Sequence, residues 1–128
     1  MSRNLRKIAL IAAAISAAVV VPATAASADG GDGLLACNSG EICLSWDANT
    51  SQQRHFYYNA NHADYRFANG QPVRDNVYSV NNRDTACSVR IIDDRGFYPD
   101  DVQVISRNTG WTRLADSVRN QNDRHERC

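Results

Sequence analysis

Four cysteines constrain the fold of this chain more than any other feature of its sequence. They are Cys37, Cys43, Cys87 and Cys128. An even number of cysteines in an exported chain predicts full pairing in disulfides, and four cysteines allow three connectivities. The six-residue separation of Cys37 and Cys43, with Gly40 between them, suits a tight local loop. We therefore expect these two to pair with each other, which leaves Cys87 to pair with Cys128.

Residues 1–28 have the layout of a secretory signal peptide. Three cations precede an apolar run of fourteen residues, 8–21, which is followed by small residues near the expected cleavage site. A membrane span needs about twenty apolar residues, so this run predicts an export signal and not an anchor. We expect a secreted, extracellular protein with no membrane attachment after cleavage. Residues 29–36 are glycine-rich and acidic and predict a flexible lead-in, which leaves 37–128 as a single domain.

The net charge of the mature chain bears on which kinds of molecule it could bind. The whole chain has 14 Lys+Arg and 14 Asp+Glu, and the leader holds three of the cations, which leaves 11 cations against 14 acids. A nucleic-acid binder gains most of its affinity from cations that neutralise phosphates. A net charge near −3 therefore argues against a nucleic-acid partner.

Short apolar runs separated by polar turns predict an all-β fold. Residues 41–46 alternate with a period of two, as a half-buried strand does, and would place Ile42, Leu44 and Trp46 on one face. Further strand-like runs follow about every ten residues. We predict strands in 41–46, 55–58, 65–67, 73–80, 87–91, 102–105 and 111–114, with a polar turn at 81–84.

The plan of the chain repeats once, in halves of about 37–82 and 83–128. Each half has about four strand-like runs, and neither could bury an apolar face by itself. The spacing of the runs favours an antiparallel sandwich, and two four-stranded units that cover each other imply paired Greek-key motifs. The two cysteine pairs would staple this small domain.

Three segments carry a resemblance to a known family. They are the run CNSGEICL at 37–44, the triplet DAN at 47–49 and the run DNVYSVNN at 75–82. In these segments the chain resembles the Streptomyces metalloproteinase-inhibitor family, which consists of small secreted actinobacterial proteins with a βγ-crystallin-like fold. The resemblance implies a βγ-crystallin-like sandwich and a peptidase inhibitor that acts as a monomer on an extracellular protease. The alternative is an extracellular binding or structural module.

An inhibitor of this kind needs an exposed segment that enters a protease cleft as an added strand and is held too rigidly to be released. Disulfides would brace such a segment. The candidates are the loop from Cys37 to Cys43 and the stretch Cys87, Ser88, Val89 and Arg90. The other interpretation is that both cysteine pairs only stabilise a small domain.

The resemblance to crystallin-like folds also implies a second hypothesis, which is calcium binding. Such folds often carry two Asn/Asp residues, two variable residues and two hydroxyl residues, and oxygen-rich loops suit this hard cation. One degenerate copy offers Asp75, Asn76 and Ser79, and the other offers Asn122 and Asp123. Weak calcium binding would accompany the binding-module alternative, and otherwise Asp75 and Asp123 would cap turns. We expect no other cofactor.

The sequence does not predict an enzyme. It has no Gly-x-Ser-x-Gly, His-Glu-x-x-His or phosphate-binding glycine loop. His125 and Cys128 have a plausible zinc spacing, but a second cysteine-histidine pair is missing and an oxidised cysteine cannot ligate. The aromatic residues could supply a sugar-binding surface, although packing in the core explains most of them. They are Trp46, Phe56, Tyr57, Tyr58, Tyr65, Phe67 and Trp111.

Overall fold

Eight short strands and one 3-10 turn make up the part of the chain that this computed structural model describes, residues 36–128. The expected signal peptide and the lead-in up to residue 35 lie outside the described residues. Within 36–128, no helix has the length and apolar character needed to cross a membrane. The strands are β1 Ile42–Ser45, β2 Gln53–Phe56, β3 Ala60–Asn61, β4 Ser79–Asn82, β5 Val89–Asp93, β6 Asp101–Ile105, β7 Trp111–Arg113 and β8 Arg124–Arg127, and the turn is His62–Asp64.

The strands form two four-stranded antiparallel sheets, which confirms the all-β prediction. The strand orders are β2-β1-β4-β7 and β3-β8-β5-β6. Each sheet takes three strands from one half of the chain and one from the other, because β7 pairs with β4 and β3 pairs with β8. Neither half therefore completes a sheet without the other.

Buried apolar side chains from both halves form one core. Phe56 of β2 is fully buried there, and its ring meets the edge of Tyr65 at a centroid distance of 5.0 Å and that of His125 at 4.8 Å. Full burial of a side chain of this size is worth about 1.5 to 3 kcal/mol. The other core members are Ile42, Leu44, Ala60, Phe67, Val73, Val77, Val80, Val89, Ile91, Ile105, Leu114 and Val118.

The first strand is buried on both faces, and not on one as its alternation predicts. Cys43 points away from the core, but its disulfide to Cys37 covers it. The hydroxyl of Ser45 donates to the carbonyl of Asp47 at 2.8 Å, so the following loop folds back over it. The prediction that Trp46 shares the buried face is wrong, since it lies beyond the strand and is 41% exposed.

Some strands lie elsewhere than predicted. The third strand was expected at 65–67, but β3 is the two-residue strand Ala60–Asn61. Phe67 still packs in the core, although it follows the 3-10 turn. The fourth strand continues through Asn82, where a turn was expected. The buried Asn82 amide donates to the carbonyls of Cys87, Ile105 and Ser106 at 3.0, 3.1 and 3.2 Å. These bonds satisfy a polar side chain that would otherwise be costly to bury.

The structure contains both expected disulfides. Cys37–Cys43 closes a loop with a sequence separation of 6, and Cys87–Cys128 joins residues separated by 41. The second bond links the segment before β5 to the residue that follows β8. It therefore fixes Cys128 against the centre of the second sheet.

Candidate functional site

The most exposed apolar side chains lie at the tip of the hairpin that joins β5 and β6. Every residue from 94 to 100 is exposed, Phe97 is completely exposed and Tyr98 is 69% exposed. Glycine is needed at Gly96, where φ is +65°. The carboxylate of Asp94 accepts from the Gly96 amide at 3.0 Å, which shapes the turn locally. We call residues 94–100 the hairpin tip.

Ion pairs brace the base of the hairpin tip. Arg124 of β8 contacts Asp94 at 3.3 Å, Asp100 at 3.2 Å and Glu126 at 3.1 Å. Two of these carboxylates lie on opposite ends of the hairpin tip, so one guanidinium holds both ends. The pKa of Arg124 is raised above its ordinary value, chiefly by its hydrogen bond to Glu126, while desolvation opposes this shift. A second ion pair, Arg95 to Asp101 at 3.3 Å, also spans the hairpin.

A cluster of partly exposed carboxylates adjoins these ion pairs. Burial raises the pKa of Asp93, and the negative charges of Asp123 and Asp101 raise it further. Asp123 also anchors the hairpin through the backbone, because its carboxylate accepts from the Asp94 amide at 2.8 Å and its own amide donates to the Ile92 carbonyl at 2.8 Å. The hairpin is thus fixed to β8 through both main chain and side chains.

The predicted inhibitory stretch at residues 87–90 lies in a different environment. Val89 and Arg90 belong to β5, which pairs with β6 on one side and β8 on the other. Cys87 and Val89 are buried and Ser88 is half-buried, so Arg90 is the exposed member of the four. Because both edges of β5 are already paired, this stretch cannot add to the sheet of a partner.

The Cys37–Cys43 loop exposes only Asn38 and Ser39. It is held from within by the Glu41 carboxylate, which accepts from the Asn38 amide at 2.7 Å. Arg83 holds it from outside, because its guanidinium donates to the Cys37 carbonyl at 3.1 Å. The loop is rigid, but it is short and lies close to the body of the protein.

One group of potential metal ligands occurs among residues 36–128, and it surrounds this disulfide. The sulfurs of Cys37 and Cys43 and a carboxylate oxygen of Glu41 lie within 4.8 Å of one another, and all three residues are buried. His55 Nδ1 is 3.2 Å from Glu41, and the Tyr57 hydroxyl donates to the same carboxylate at 3.0 Å. Both sulfurs belong to the disulfide, so neither is a thiolate that could bind a metal.

The predicted calcium residues are partly brought together. The Asp75 amide donates to the Asn122 carbonyl at 3.0 Å, which places the two copies of the motif side by side. Arg74 lies between their carboxylates, 2.7 Å from Asp123 and 3.8 Å from Asp75. Asn76 donates to the Arg74 carbonyl at 3.0 Å. The remaining predicted ligand, Ser79, lies in β4 and is buried.

Asn122 belongs to a buried hydrogen-bonded chain that the sequence did not reveal. Its amide nitrogen is 2.6 Å from His62 Nδ1, His62 Nε2 is 2.9 Å from His125 Nδ1, and His125 Nε2 is 2.8 Å from the Tyr58 carbonyl. A carbonyl can only accept, so His125 donates from Nε2 and accepts at Nδ1. His62 then donates from Nε2 and accepts from Asn122, and both imidazoles are neutral.

Burial accounts for this protonation state. The pKa of His62 is lowered well below its ordinary value by desolvation and then by the charge of a protonated His125. Burial lowers the pKa of His125 to about 4. All three histidines of the chain are buried, and His62 and His125 serve as structural links between β8 and the turn after β3.

The sequence contained a signal for the hairpin tip that the strand pattern concealed. Gly96 and Pro99 flank two adjacent aromatic residues, and such turn formers place their neighbours at the surface.

Comparison of the chain with protein-family models, with curated proteins and with solved structures gave no match.

Proposed function

We propose that this protein is a secreted peptidase inhibitor that inserts the hairpin tip into the cleft of an extracellular protease. Phe97 is the anchor residue. The observation that carries the proposal is the complete exposure of this side chain on a braced hairpin. A monomeric protein gains nothing for its own stability from an aromatic ring placed fully in water, whereas such a ring can fill an apolar specificity pocket.

Rigidity distinguishes an inhibitor loop from a substrate loop. Arg124 links Asp94 to Asp100 across the hairpin tip, and the Arg95 guanidinium lies 5.7 Å from the ring centre of Tyr98. The hairpin tip therefore loses little conformational entropy when it binds a protease. If the protease cleaves the tip, the two ends stay in place and the bond can re-form.

The edge of the second sheet supports the same mode of binding. β6 ends the strand order β3-β8-β5-β6, and no strand of residues 36–128 pairs with its other edge. Val102 and Val104 on its outward face are 38% and 59% exposed. An extended segment in a protease cleft forms backbone hydrogen bonds as an added strand. A free edge next to Phe97 provides these groups.

The rest of the proposal concerns the body that carries the hairpin. The fourth strand of each half lies beside its first, β4 beside β1 and β8 beside β5, which supports two Greek keys in a crystallin-like arrangement. The two disulfides support an oxidising, extracellular location. The protein acts by presenting this surface and carries out no catalysis.

The proposal is tested by titrating the purified, oxidised mature protein against a thermolysin-like metalloprotease and a subtilisin-like serine protease. We expect stoichiometric loss of activity with at least one enzyme. Phe97→Ala should weaken inhibition by about tenfold or more, as truncation of an anchor residue does. Tyr58→Ala is the matched control, because Tyr58 is an exposed aromatic residue that lies outside the hairpin tip.

Two results would overturn the proposal. One is full protease activity at a large excess of the protein with both enzymes. The other is a Phe97→Ala variant that inhibits as strongly as the wild type, which would place the inhibitory contact elsewhere.

A further inference from the structure

Three adjoining depressions form a groove along β3 and β8, beside the hairpin tip, whose first residue, Asp94, lines one end of it. The first has a volume of about 350 Å³ and shares Asn61 and Arg124 with the second, which has a volume of about 210 Å³. The second shares Asn59 with a third of about 330 Å³ that ends at Tyr58. We call this continuous feature the polar groove.

The charges of the polar groove cancel. Arg74 is paired with Asp123 at 2.7 Å, and Arg124 is paired with Asp94 at 3.3 Å. Near the other end, Arg127 is paired with Asp84, a buried carboxylate. A strongly anionic or cationic ligand would have to break such a pair. A neutral ligand could use the same groups as fixed hydrogen-bond donors and acceptors.

Two asparagines are fixed by the backbone, and no hydrogen bond within residues 36–128 engages their amide hydrogens, which leaves these for a ligand. The Asn59 side-chain oxygen accepts from the Arg127 amide at 2.7 Å. The Asn61 oxygen accepts from the Ala63 amide at 3.1 Å, where it caps the 3-10 turn. Both side chains are exposed, and their orientation is set before any ligand arrives. Such preorganised polar groups reduce the entropic cost of binding.

Tyr58 adds an aromatic surface at one end of the groove. Its side chain is 57% exposed, while its carbonyl accepts from His125 inside the protein at 2.8 Å. The backbone below the ring is therefore anchored. Among residues 36–128, the other apolar side chains that line the groove are Ala60, Ala63 and the disulfide-bonded Cys128. This lining offers no pocket for the large apolar side chains of a peptide.

We propose that the polar groove binds a neutral, extended polysaccharide chain, with one sugar ring stacked on Tyr58 and the hydroxyls of the following units bonded to Asn59, Asn61 and the paired arginines. Sugars combine apolar ring faces with a dense rim of donors and acceptors, which matches an aromatic platform followed by a charge-balanced polar surface. The groove shares Asp94 and Arg124 with the brace of the hairpin tip, but the inference does not rest on peptidase inhibition, because glycan binding does not involve Phe97.

Isothermal titration with cellohexaose and with chitohexaose tests the proposal on the oxidised mature protein. We expect saturable binding of at least one hexaose. Tyr58→Ala should weaken it by about fivefold to tenfold through loss of the stacked ring. Asn61→Ser keeps an oxygen to cap the 3-10 turn but removes the amide donor, and it should also weaken binding. Phe97→Ala is the matched control and should bind as the wild type does.

The two proposals fail separately. Absence of heat with both hexaoses at millimolar concentration, or equal affinity in wild type, Tyr58→Ala and Asn61→Ser, would overturn glycan binding and leave inhibition untouched. Binding of an anionic probe such as heparin hexasaccharide in place of the neutral hexaoses would also overturn it, because it would show that the paired arginines are available to anions.

Discussion

His62 Nε2 donates a hydrogen bond of 2.9 Å to His125 Nδ1 in the interior of the protein. His62 follows β3 of the first half and His125 lies in β8 of the second half. Their contact therefore lies at the point where one half lends a strand to the sheet of the other. Each ring uses its other nitrogen for a further hydrogen bond, His62 with Asn122 and His125 with the Tyr58 carbonyl. Protonation of either ring would therefore turn its accepting nitrogen into a donor and break the bond that this nitrogen accepts.

The first prediction is that this pair makes folding sensitive to acid. The folded-state pKa values lie below 6.5, so the unfolded chain binds more protons as the pH falls. The stability contributed by the neutral pair is complete above about pH 6.5 and is lost as the pH falls toward about 4. For His125 alone the loss is on the order of 3 kcal/mol.

Urea denaturation at pH 7 and pH 4.5 measures this loss. The His125→Gln variant should be less stable at pH 7, but its stability should fall less between the two pH values. If the unfolding free energy falls by the same amount between pH 7 and pH 4.5 in the variant and in the wild type, the acid sensitivity comes from other groups.

The second prediction concerns Asn122. Its side-chain oxygen accepts from the Val77 amide at 2.9 Å, and its nitrogen donates to the Val73 carbonyl at 2.9 Å as well as to His62. Asn122→Ala leaves these buried groups without partners and should destabilise the protein by about 3 kcal/mol or more. Asn76→Ala is the control, because within residues 36–128 that side chain bonds only the exposed Arg74 carbonyl. It should cost about 0.5 kcal/mol or less. Similar losses of unfolding free energy in the two variants would contradict the stabilising role of the buried Asn122 hydrogen bonds.

The third prediction separates the two disulfides. The Cys87–Cys128 bond closes a loop with a separation of 41, and Cys37–Cys43 closes one with a separation of 6. Loop entropy predicts losses of about 4 and about 2 kcal/mol when each pair is replaced by serine. Chemical denaturation of the two double-serine variants measures the difference. A greater loss from the short loop would show that native contacts of that loop outweigh the entropy of the unfolded chain.

The fourth prediction is that Arg124 affects inhibition more than stability. Its partners are partly exposed, so Arg124→Ala should cost only about 1 kcal/mol in unfolding free energy. The hairpin tip would lose the link between Asp94 and Asp100, and inhibition should weaken by about tenfold, with the tip now cleaved by the protease. Arg90→Ala removes one exposed ion pair to Glu126 and serves as the control. An Arg124→Ala variant that inhibits normally and resists cleavage would show that the hairpin is rigid without this bridge.

The fifth prediction concerns calcium. The Arg74 guanidinium lies between the carboxylates of Asp75 and Asp123, where a cation would have to bind. We therefore expect calcium to bind the wild type only weakly, with a Kd of about 1 mM or higher, and Arg74→Ala to increase the affinity. Calorimetry with calcium chloride measures both. Binding tighter than about 0.1 mM in the wild type, unchanged by Arg74→Ala, would mean that calcium uses a different set of ligands.

Strand positions show where local sequence stops being informative. The run 55–58 was expected as the second strand, but β2 is Gln53–Phe56 because its register is set by β1, with Ser45 opposite Gln53 and Ile42 opposite Phe56. The aromatic character of Tyr57 and Tyr58 predicted strand, yet both residues are exposed beyond the last pair. Pairing with a neighbour overrode intrinsic preference.

The candidate site was predictable only in part. Aromatic residues between glycine and proline indicate an exposed turn, but Asp94, Asp100 and Arg124 meet across a sequence distance of 24 to 30 residues. The stretch at residues 87–90 was a reasonable candidate until pairing on both sides of β5 became visible. Whether a strand is central or at an edge is a property of the sheet and not of the strand.

The sequence by itself determined the covalent frame and the class of fold. The six-residue spacing of Cys37 and Cys43 favoured their pairing, which left Cys87 for Cys128. Short alternating runs predicted an all-β domain, since they depend on residues that are close together in the chain. Only the tertiary structure decided that β3 and β7 cross between sheets, that two histidines face each other and that Phe97 is left outside. These features arise from pairings between distant segments, whose energy depends on the whole packed structure and leaves no local pattern.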